Sequence, residues 1–278
     1  MLPAKRELLR FLPRVLRARD FHLYLENGKR LTDLWLAGGK AVLGHKPPRV
    51  LVELKKAAER GLFTPIPHPM ERRYLKALGE LFPGRSFRLY TDTSSLRRAF
   101  DEAGILFPLD ELLPDPAFPE YDVSIVGEKI SLWRPFMGSQ KETLLLAPVL
   151  PWPLGPEVLA LEKGLDASFP AGEIIPPVLL APATRALYDL LAAIKDGDRT
   201  QRVYPRVEKA VKGGPWRRRG IYLTIKTDRE KYENLFLCFL ESGFLIPPSP
   251  VEPLILPASM SDGEESKLAG LLGDGLLT

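Results

Sequence analysis

The residue with the clearest chemical potential is Lys163, because a deprotonated lysine amine can attack a carbonyl carbon and form an imine. Lys163 follows the short apolar run Val158-Leu-Ala-Leu161 and precedes a loop that contains Pro170 and Gly172. The alternative is an ordinary exposed lysine at the end of a short element, since lysines are common on protein surfaces. The pattern therefore identifies a candidate nucleophile and leaves its role open.

A second group of candidate residues is the hydroxyl cluster Thr93, Ser94 and Ser95. A helix is predicted to begin at Ser94 or Ser95, which are both good N-cap residues. Hydroxyls and backbone N–H groups at a helix N-terminus suit a phosphate group. The other interpretation is a plain helix cap, and Asp92 favours it because a carboxylate at the helix start repels an anion.

The elements that would position these residues alternate between strands and helices, which indicates an α/β protein. Asn27-Gly28 between two apolar runs predicts a β-hairpin. The other predicted elements, in chain order, are helices over 49–60 and 71–81, strand 87–90, helix 94–103, strands 123–126, 130–133 and 144–146, helix 184–195, strand 220–225, helix 228–242 and strand 244–246. Prolines crowd residues 108–156 and exclude long helices from that segment.

Composition and charge exclude several classes of protein. The 278 residues carry 39 basic and 35 acidic side chains, and this excess is too small to indicate nucleic-acid binding. The single cysteine, Cys238, lies in an apolar run and is predicted to be a buried thiol, which suits a cytoplasmic protein. No apolar run approaches the roughly 20 residues that span a bilayer. His22, His45 and His68 lack the spacing of metal ligands, so no metal site is predicted.

Two basic segments are candidate interaction sites. Leu8 to Leu16 forms a basic amphipathic stretch, predicted to be a helix that docks on the body of the protein or on a partner subunit, although Pro13 would kink it. A helix lying on a membrane surface is the alternative. The segment Trp216-Arg-Arg-Arg219 could contact phosphates, but a solvated loop leading into a strand is the preferred interpretation.

The lysine segment is one of four blocks that occur in a fixed order. In chain order the blocks are Tyr24-Leu-Glu-Asn-Gly-Lys-Arg-Leu-Thr-Asp33 with Leu43-Gly-His45; Leu81-Phe-Pro-Gly84 with Leu89-Tyr-Thr-Asp-Thr-Ser-Ser95; Pro156-Glu157 through Lys163 to Gly172; and Arg219-Gly-Ile-Tyr-Leu-Thr-Ile225 with Glu241-Ser-Gly-Phe-Leu-Ile-Pro-Pro-Ser249. Together they resemble the class III aminotransferases, fold-type I enzymes that use pyridoxal phosphate (PLP). The resemblance is closest to the glutamate-1-semialdehyde aminomutase branch, and it covers most of the chain except about residues 105–150.

The resemblance implies a fold-type I architecture with a reduced large domain and a small α+β domain built from both termini. It divides the chain into 1–60, the N-terminal helix and part of the small domain; 61–195, the reduced large domain; and 196–278, the rest of the small domain. It further implies a homodimer, PLP as the cofactor, and a small amino or keto acid as the substrate. Lys163 would be the imine lysine and general acid/base, and Thr93, Ser94 and Ser95 would hold the cofactor phosphate.

The sequence departs from the family pattern where the cofactor would be held. Asp166, Ala167 and Ser168 replace three glycines after the lysine, and Ala147-Pro148 stands where the family has the acid that pairs with the pyridine nitrogen. Three hypotheses remain open. The chain is a PLP-dependent aminotransferase or aminomutase; or it is a catalytically inactive dimeric binding or structural module; or it is one subunit of an aminotransferase split between two chains.

Overall fold

The fold comes from a computed structural model that describes residues 7–105, 113–118, 129–140, 142–165, 169–197 and 204–273. The chain divides into two compact units. Unit 1 comprises Met1–Lys46, Phe136–Gly138 and Asp196–Thr278, and unit 2 comprises Pro47–Pro135 and Ser139–Lys195. Residues 47–60, with helix 48–59, lie in unit 2. The sequence-based division into 1–60, 61–195 and 196–278 stays a prediction.

The secondary structure contains eleven strands and seven α-helices within the described residues. The strands are β1 (Val15–Arg19), β2 (His22–Leu25), β3 (Arg30–Asp33), β4 (Ser86–Tyr90), β5 (Ile130–Trp133), β6 (Leu145–Pro148), β7 (Glu157–Leu161), β8 (Trp216–Arg219), β9 (Tyr222–Ile225), β10 (Phe244–Leu245) and β11 (Leu254–Ile255). The helices are α1 (Pro48–Glu59), α2 (Pro69–Leu81), α3 (Thr93–Glu102), α4 (Pro177–Asp196), α5 (Pro205–Gly213), α6 (Arg229–Glu241) and α7 (Asp262–Gly273). The predicted strand over 123–126 lies outside the described residues.

The first sheet of unit 1 has the order β1-β2-β3-β10. Strands β2 and β3 form the antiparallel hairpin that Asn27-Gly28 predicts, with His22 opposite Thr32. Gly28 has a φ of 78°, a left-handed conformation that glycine adopts without strain. Strand β10 then pairs with β3 in parallel. The sequence prediction of this hairpin is confirmed.

The predicted N-terminal helix is wrong over most of its length. Within the described residues of this segment, helical structure is limited to Glu7 and Leu8 and the 3₁₀ turn at Leu9–Phe11, and Val15–Arg19 is an edge strand paired with β2. Pro13 explains the change, because proline lacks the N–H that a continuing helix requires and its ring clashes with the preceding turn. Arg10 lies in the 3₁₀ turn, whereas Arg17 and Arg19 lie on the strand.

The second sheet of unit 1 has the order β11-β9-β8. The basic segment before Gly220, predicted to be a loop, is instead strand β8, and Trp216 at its start is only 2% exposed. Arg218 forms an ion pair with Glu208 of α5 and donates a hydrogen bond to the carbonyl oxygen of Gly220. The arginine-rich segment thus contributes to the structure of unit 1, which the interpretation as a solvated loop missed.

The sheet of unit 2 has the order β4-β7-β6-β5. Strand β7 is antiparallel to both of its neighbours, and β5 is parallel to β6. Strands β4, β5 and β6 therefore run in one direction and β7 runs in the other. The carboxyl ends of β4, β5 and β6 and the amino end of β7 share one edge of the sheet. We call this the α3 edge, because α3 follows β4 there, and we define it by Thr91–Ser95, Arg134–Pro135 and Val149–Glu157.

Helix α4 is the principal core helix of unit 2. It begins at Pro177 rather than at the predicted Thr184, and ten of its residues are buried. Among the described residues it is the one helix long and apolar enough to cross a membrane, but 56% of its most apolar window is buried inside the protein, as in a core helix. The sequence prediction missed residues 177–183 because Pro182 lies inside this helix, where a proline is expected to interrupt it.

Candidate functional site

The N-terminus of α3 is capped by a carboxylate. Asp92 is the N-cap residue, and its Oδ1 accepts a hydrogen bond of 2.8 Å from the backbone N–H of Ser95. The predicted caps, Ser94 and Ser95, lie inside the first turn instead. Thr93 and Ser94 are exposed, whereas Ser95 is buried and its hydroxyl accepts a hydrogen bond from Arg98. Asp92 therefore satisfies a donor that an anionic ligand would otherwise use.

Two further carboxylates lie beside the same helix start. Glu173 Oε2 accepts hydrogen bonds from the backbone N–H of Thr91 (2.7 Å) and from its hydroxyl (2.6 Å). The hydrogen bond from the Thr91 hydroxyl is the main reason that the pKa of Glu173 is lowered, so this side chain is held as a carboxylate. Glu157 Oε1 accepts a hydrogen bond of 3.4 Å from the hydroxyl of Thr93. Three negative charges at one helix N-terminus oppose the binding of a phosphate group there.

Lys163 lies at the opposite end of the sheet from this helix. In the antiparallel pairing of β4 with β7, Glu157 faces Tyr90 near the α3 edge, whereas Leu161 faces Ser86 at the other end. Lys163 is exposed in the turn after β7. At about 3.3 Å per residue, β7 alone separates the two positions by roughly 13 Å. The structure thus brings Thr93, Ser94 and Ser95 together but does not bring Lys163 to them.

A buried ion pair occupies the end of β5 at the α3 edge. Arg134, 3% exposed, donates to Asp115, 4% exposed, through Nε–Oδ1 (2.7 Å) and Nη2–Oδ2 (2.5 Å). The backbone N–H of Arg134 also donates to Gln140 Oε1 at 2.9 Å. Sequence reasoning noted Arg134 only as the neighbour of Trp133, and missed Asp115 because nothing local links residues 19 positions apart.

The remaining strands of the α3 edge offer no amine. Ala147-Pro148 closes β6 with two buried residues that carry no side-chain charge. Within the described part of the edge, no lysine follows β4, β5 or β6 or precedes β7. Trp133 is not a stacking platform on this edge, because its ring packs edge-on against Phe82 with the ring centroids 5.0 Å apart.

The loop after Lys163 covers the outer side of β4. The backbone N–H of Glu173 donates to the carbonyl oxygen of Leu89 at 2.8 Å, and Arg88 Nε donates to the carbonyl oxygen of Pro170 at 3.1 Å. A Cβ on Gly172 would lie 2.8 Å from the nitrogen of Leu89, so only glycine fits without a shift. Two residues of the lysine block, Pro170 and Gly172, are therefore explained by packing against β4.

The α3 edge does not fit PLP. An imine needs an amine within reach of the group that holds the phosphate, and the described residues supply none. The helix start that would hold a phosphate is filled by Asp92, Glu157 and Glu173. A protonated pyridine nitrogen needs an acidic partner, and the charged residue that follows β5 is Arg134, already paired with Asp115. The arrangement stabilises the sheet edge rather than offering reactive groups.

Comparison with solved structures defines the fold as that of the PLP-dependent aminotransferases. An ornithine aminotransferase of Plasmodium falciparum is similar with a TM-score of 0.70 and 11% identity, over 94% of this chain and 92% of that chain. An omega-transaminase of Thermomicrobium roseum has a TM-score of 0.70 and 13% identity, over 97% and 94%. A transaminase with PLP bound has a TM-score of 0.60 and 14% identity, over 95% and 90%. At these identities the likeness establishes the fold alone.

Two proteins of similar sequence are described only as uncharacterized. An uncharacterized protein of Treponema pallidum is 26% identical over 294 aligned residues, which cover 90% of this chain and 91% of that protein. An uncharacterized protein of Borreliella burgdorferi is 35% identical over 71 residues, 26% of each chain. No protein-family model matches the sequence.

Proposed function

We propose that this protein is a catalytically inactive member of the aminotransferase fold that serves as a binding or structural module. The observation that carries the proposal is the distance between Lys163 and the N-terminus of α3. They lie at opposite ends of β7, and the strand between them is far longer than a lysine side chain. One lysine cannot form an imine with a cofactor whose phosphate lies at the start of α3.

The electrostatics of the α3 edge support the same proposal. Asp92 and Glu173 accept hydrogen bonds from backbone N–H groups that a cofactor phosphate would need. A phosphate group bound there would bring about two negative charges close to these carboxylates, which would repel it. Arg134 and Asp115 are both buried and satisfy each other, so neither is available to a pyridine nitrogen.

Several further properties are predicted from the sequence alone. The reduced large domain, the affinity with the aminomutase branch of the class III enzymes, and the cytoplasmic location stay predictions. The homodimer also stays a prediction, which sedimentation equilibrium on the purified chain measures.

Reaction with PLP tests the proposal directly. Purified protein is mixed with PLP and its visible spectrum is recorded. The mixture is then reduced with borohydride, and the modified lysines are mapped by peptide mass spectrometry. We expect no stoichiometric visible band and only scattered labelling of exposed lysines. Lys163→Ala and Lys129→Ala, a matched exposed lysine of the same unit, should behave alike. A one-to-one band that disappears only in Lys163→Ala contradicts the proposal and restores the enzyme hypothesis.

A split enzyme is the second candidate, and the exposed hydroxyls of Thr93 and Ser94 favour it. These hydroxyls remain at a helix start that lacks an amine, and a second chain could supply one. If the visible band and turnover appear only when a second polypeptide is added, the split enzyme replaces the inactive module.

A further inference from the structure

A pocket of about 200 Å³ lies in unit 2, away from the α3 edge. Helices α1, α2 and α4 form its walls, together with the segment that joins α1 to α2. Its lining includes the apolar residues Ala57 and Pro177 and four basic side chains, from Lys56, Arg60, His68 and Arg73. The result is a concave site lined by both apolar and basic side chains.

The positive charge of this pocket is largely unneutralised. Glu53 is its acidic residue, and it pairs with Lys56 at 2.9 Å. The side chains of Arg60 and Arg73 have neither an ion pair nor a hydrogen bond within the ranges that the structure describes. Two guanidinium groups therefore face the pocket with their donors available. A planar guanidinium binds phosphate and carboxylate oxygens with two parallel hydrogen bonds.

His68 adds a donor of fixed orientation. Its Nδ1 accepts a hydrogen bond of 3.1 Å from the backbone N–H of Met70, which makes it the N-cap of α2. Because Nδ1 is an acceptor, the proton of the neutral ring is on Nε2. His68 can therefore donate from Nε2 without first taking up a proton.

Two helices begin beside the pocket, and their dipoles add to its positive potential. Pro69 starts α2 and Pro177 starts α4. Their first N–H groups are already used, however. Met70 donates to His68, and Val178 donates to the carbonyl oxygen of Leu62 at 3.0 Å. A ligand must therefore be bound by the side chains, and the helix dipoles only strengthen that attraction.

We propose that this pocket binds a phosphate group, either as free phosphate or as the headgroup of a small phosphorylated molecule. Donors from Lys56, Arg60, His68 and Arg73 come from three different elements, which suits a tetrahedral anion with up to two negative charges. The volume is below the roughly 300–1,000 Å³ of most ligand pockets, so it fits a headgroup rather than a whole metabolite. This inference goes beyond the proposed function, because it does not involve Lys163 or the α3 edge.

Titration with inorganic phosphate at constant ionic strength tests the pocket, with calorimetry and ³¹P resonance as readouts. The double variant Arg60→Gln/Arg73→Gln should bind phosphate at least about 10-fold more weakly, since it removes the charged hydrogen bonds of both guanidinium groups. Arg72→Gln is the matched control. Arg72 is exposed and adjacent to Arg73 on α2 but does not line the pocket. We expect it to retain the affinity of the unaltered protein.

Three results would overturn the inference. They are no saturable binding at tens of millimolar phosphate, an equal loss in Arg72→Gln, and equal or tighter binding of succinate, which would assign the pocket to carboxylates. Glycerol phosphate separates the two sources of the ligand, because tighter binding than free phosphate indicates a headgroup and weaker binding indicates the free ion. Inorganic phosphate cannot form an imine, so failure here is distinguishable from failure of the PLP experiment.

Discussion

The α3 edge and the pocket between α1, α2 and α4, which we call the helix pocket, both lie in unit 2 and use charged groups in opposite ways. At the edge, Asp92 and Glu173 are held by hydrogen bonds from the protein itself, and Arg134 is buried with Asp115. In the pocket, Arg60 and Arg73 are exposed and make no such contact within the described residues. Charges that a protein satisfies internally stabilise its fold, whereas exposed charges without partners remain available to ligands.

This difference inverts the expectation drawn from the sequence. The resemblance to aminotransferases directed attention to the α3 helix start as the place for a phosphate. The carboxylates there make it the less favourable of the two sites, since each opposes an anion at the helix N-terminus. The helix pocket, which no sequence motif indicated, has the charge that an anion requires. Variants at the two places should therefore separate effects on stability from effects on binding.

The largest expected effect is the loss of the buried ion pair at the edge. Arg134→Leu leaves Asp115 buried without its partner, and we expect the free energy of unfolding to fall by about 3–5 kcal/mol. Chemical denaturation measures this change. Arg73→Gln in the pocket should change stability by no more than about 0.5 kcal/mol, because exposed arginines contribute little to folding.

A double variant separates the ion pair from general damage to the core. Arg134→Met/Asp115→Leu removes both charges and keeps apolar volume, so we expect it to recover much of the stability lost in Arg134→Leu. Equal destabilisation by Arg73→Gln and Arg134→Leu would remove the distinction between the two regions.

Local patterns in the sequence predicted much of the fold. Asn27-Gly28 predicted its hairpin, and the apolar spacing of α1, α2 and α6 predicted those helices to within two residues at each end. Strand β8 was missed because Trp216-Arg-Arg-Arg219 contains three consecutive arginines. Such a run lacks the alternation of apolar and polar residues that predicts a strand. Helix α7 was missed as well, since its glycines and acidic first turn obscure the apolar residues Leu268 and Leu272.

The candidate site was less predictable because it depends on strand direction. In the sequence Lys163 follows a short apolar run, and the structure shows that this run is strand β7. Whether that strand ends beside α3 or away from it depends on how β7 pairs with β4, and antiparallel pairing puts the lysine at the far end. The partnership of Arg134 with Asp115 likewise arises only when the chain folds, because no local pattern joins them.

A smaller expected effect comes from the packing of the loop against β4. Gly172→Ala would bring a Cβ within 2.9 Å of both the nitrogen and the oxygen of Leu89, and these backbone atoms cannot move aside cheaply. We expect a loss of about 1–3 kcal/mol in the free energy of unfolding, as for other overpacked sites. Such a loss would show that backbone packing of the loop on β4 stabilises unit 2, in addition to the charged groups at the α3 edge.

Gly79→Ala in α2 is the control for this substitution. A Cβ on Gly79 meets nothing within 4 Å, and alanine favours the helix, so the variant should gain up to about 1 kcal/mol. If Gly172→Ala is as stable as the unaltered protein, the loop does not pack on β4 as described.

The smallest effect, and the most informative about charge, is expected from Glu173. Its pKa is lowered in the folded state, first by the hydrogen bond from the Thr91 hydroxyl, against an ordinary value of 4.5. A lowered pKa in the folded state means that the carboxylate stabilises the protein above pH 4.5 and loses that contribution as the pH falls further. The side chain is 35% exposed, so solvent screening limits the contribution to about 0.5–1 kcal/mol.

Glu173→Gln should therefore lower stability at neutral pH and flatten its decline below pH 4.5, as measured by denaturation at several pH values. Glu80→Gln is the control, at an exposed glutamate of α2 whose side chain makes no hydrogen bond within the described residues, and it should change stability at neutral pH by no more than about 0.5 kcal/mol. The same protein samples can be titrated with phosphate. Glu173→Gln could gain phosphate binding that persists when Arg60→Gln/Arg73→Gln is added. In that case the Glu173 carboxylate excludes an anion from the N-terminus of α3, and the α3 edge is an anion site that this carboxylate blocks. If binding is unchanged, the α3 edge is structural and the helix pocket alone attracts the anion.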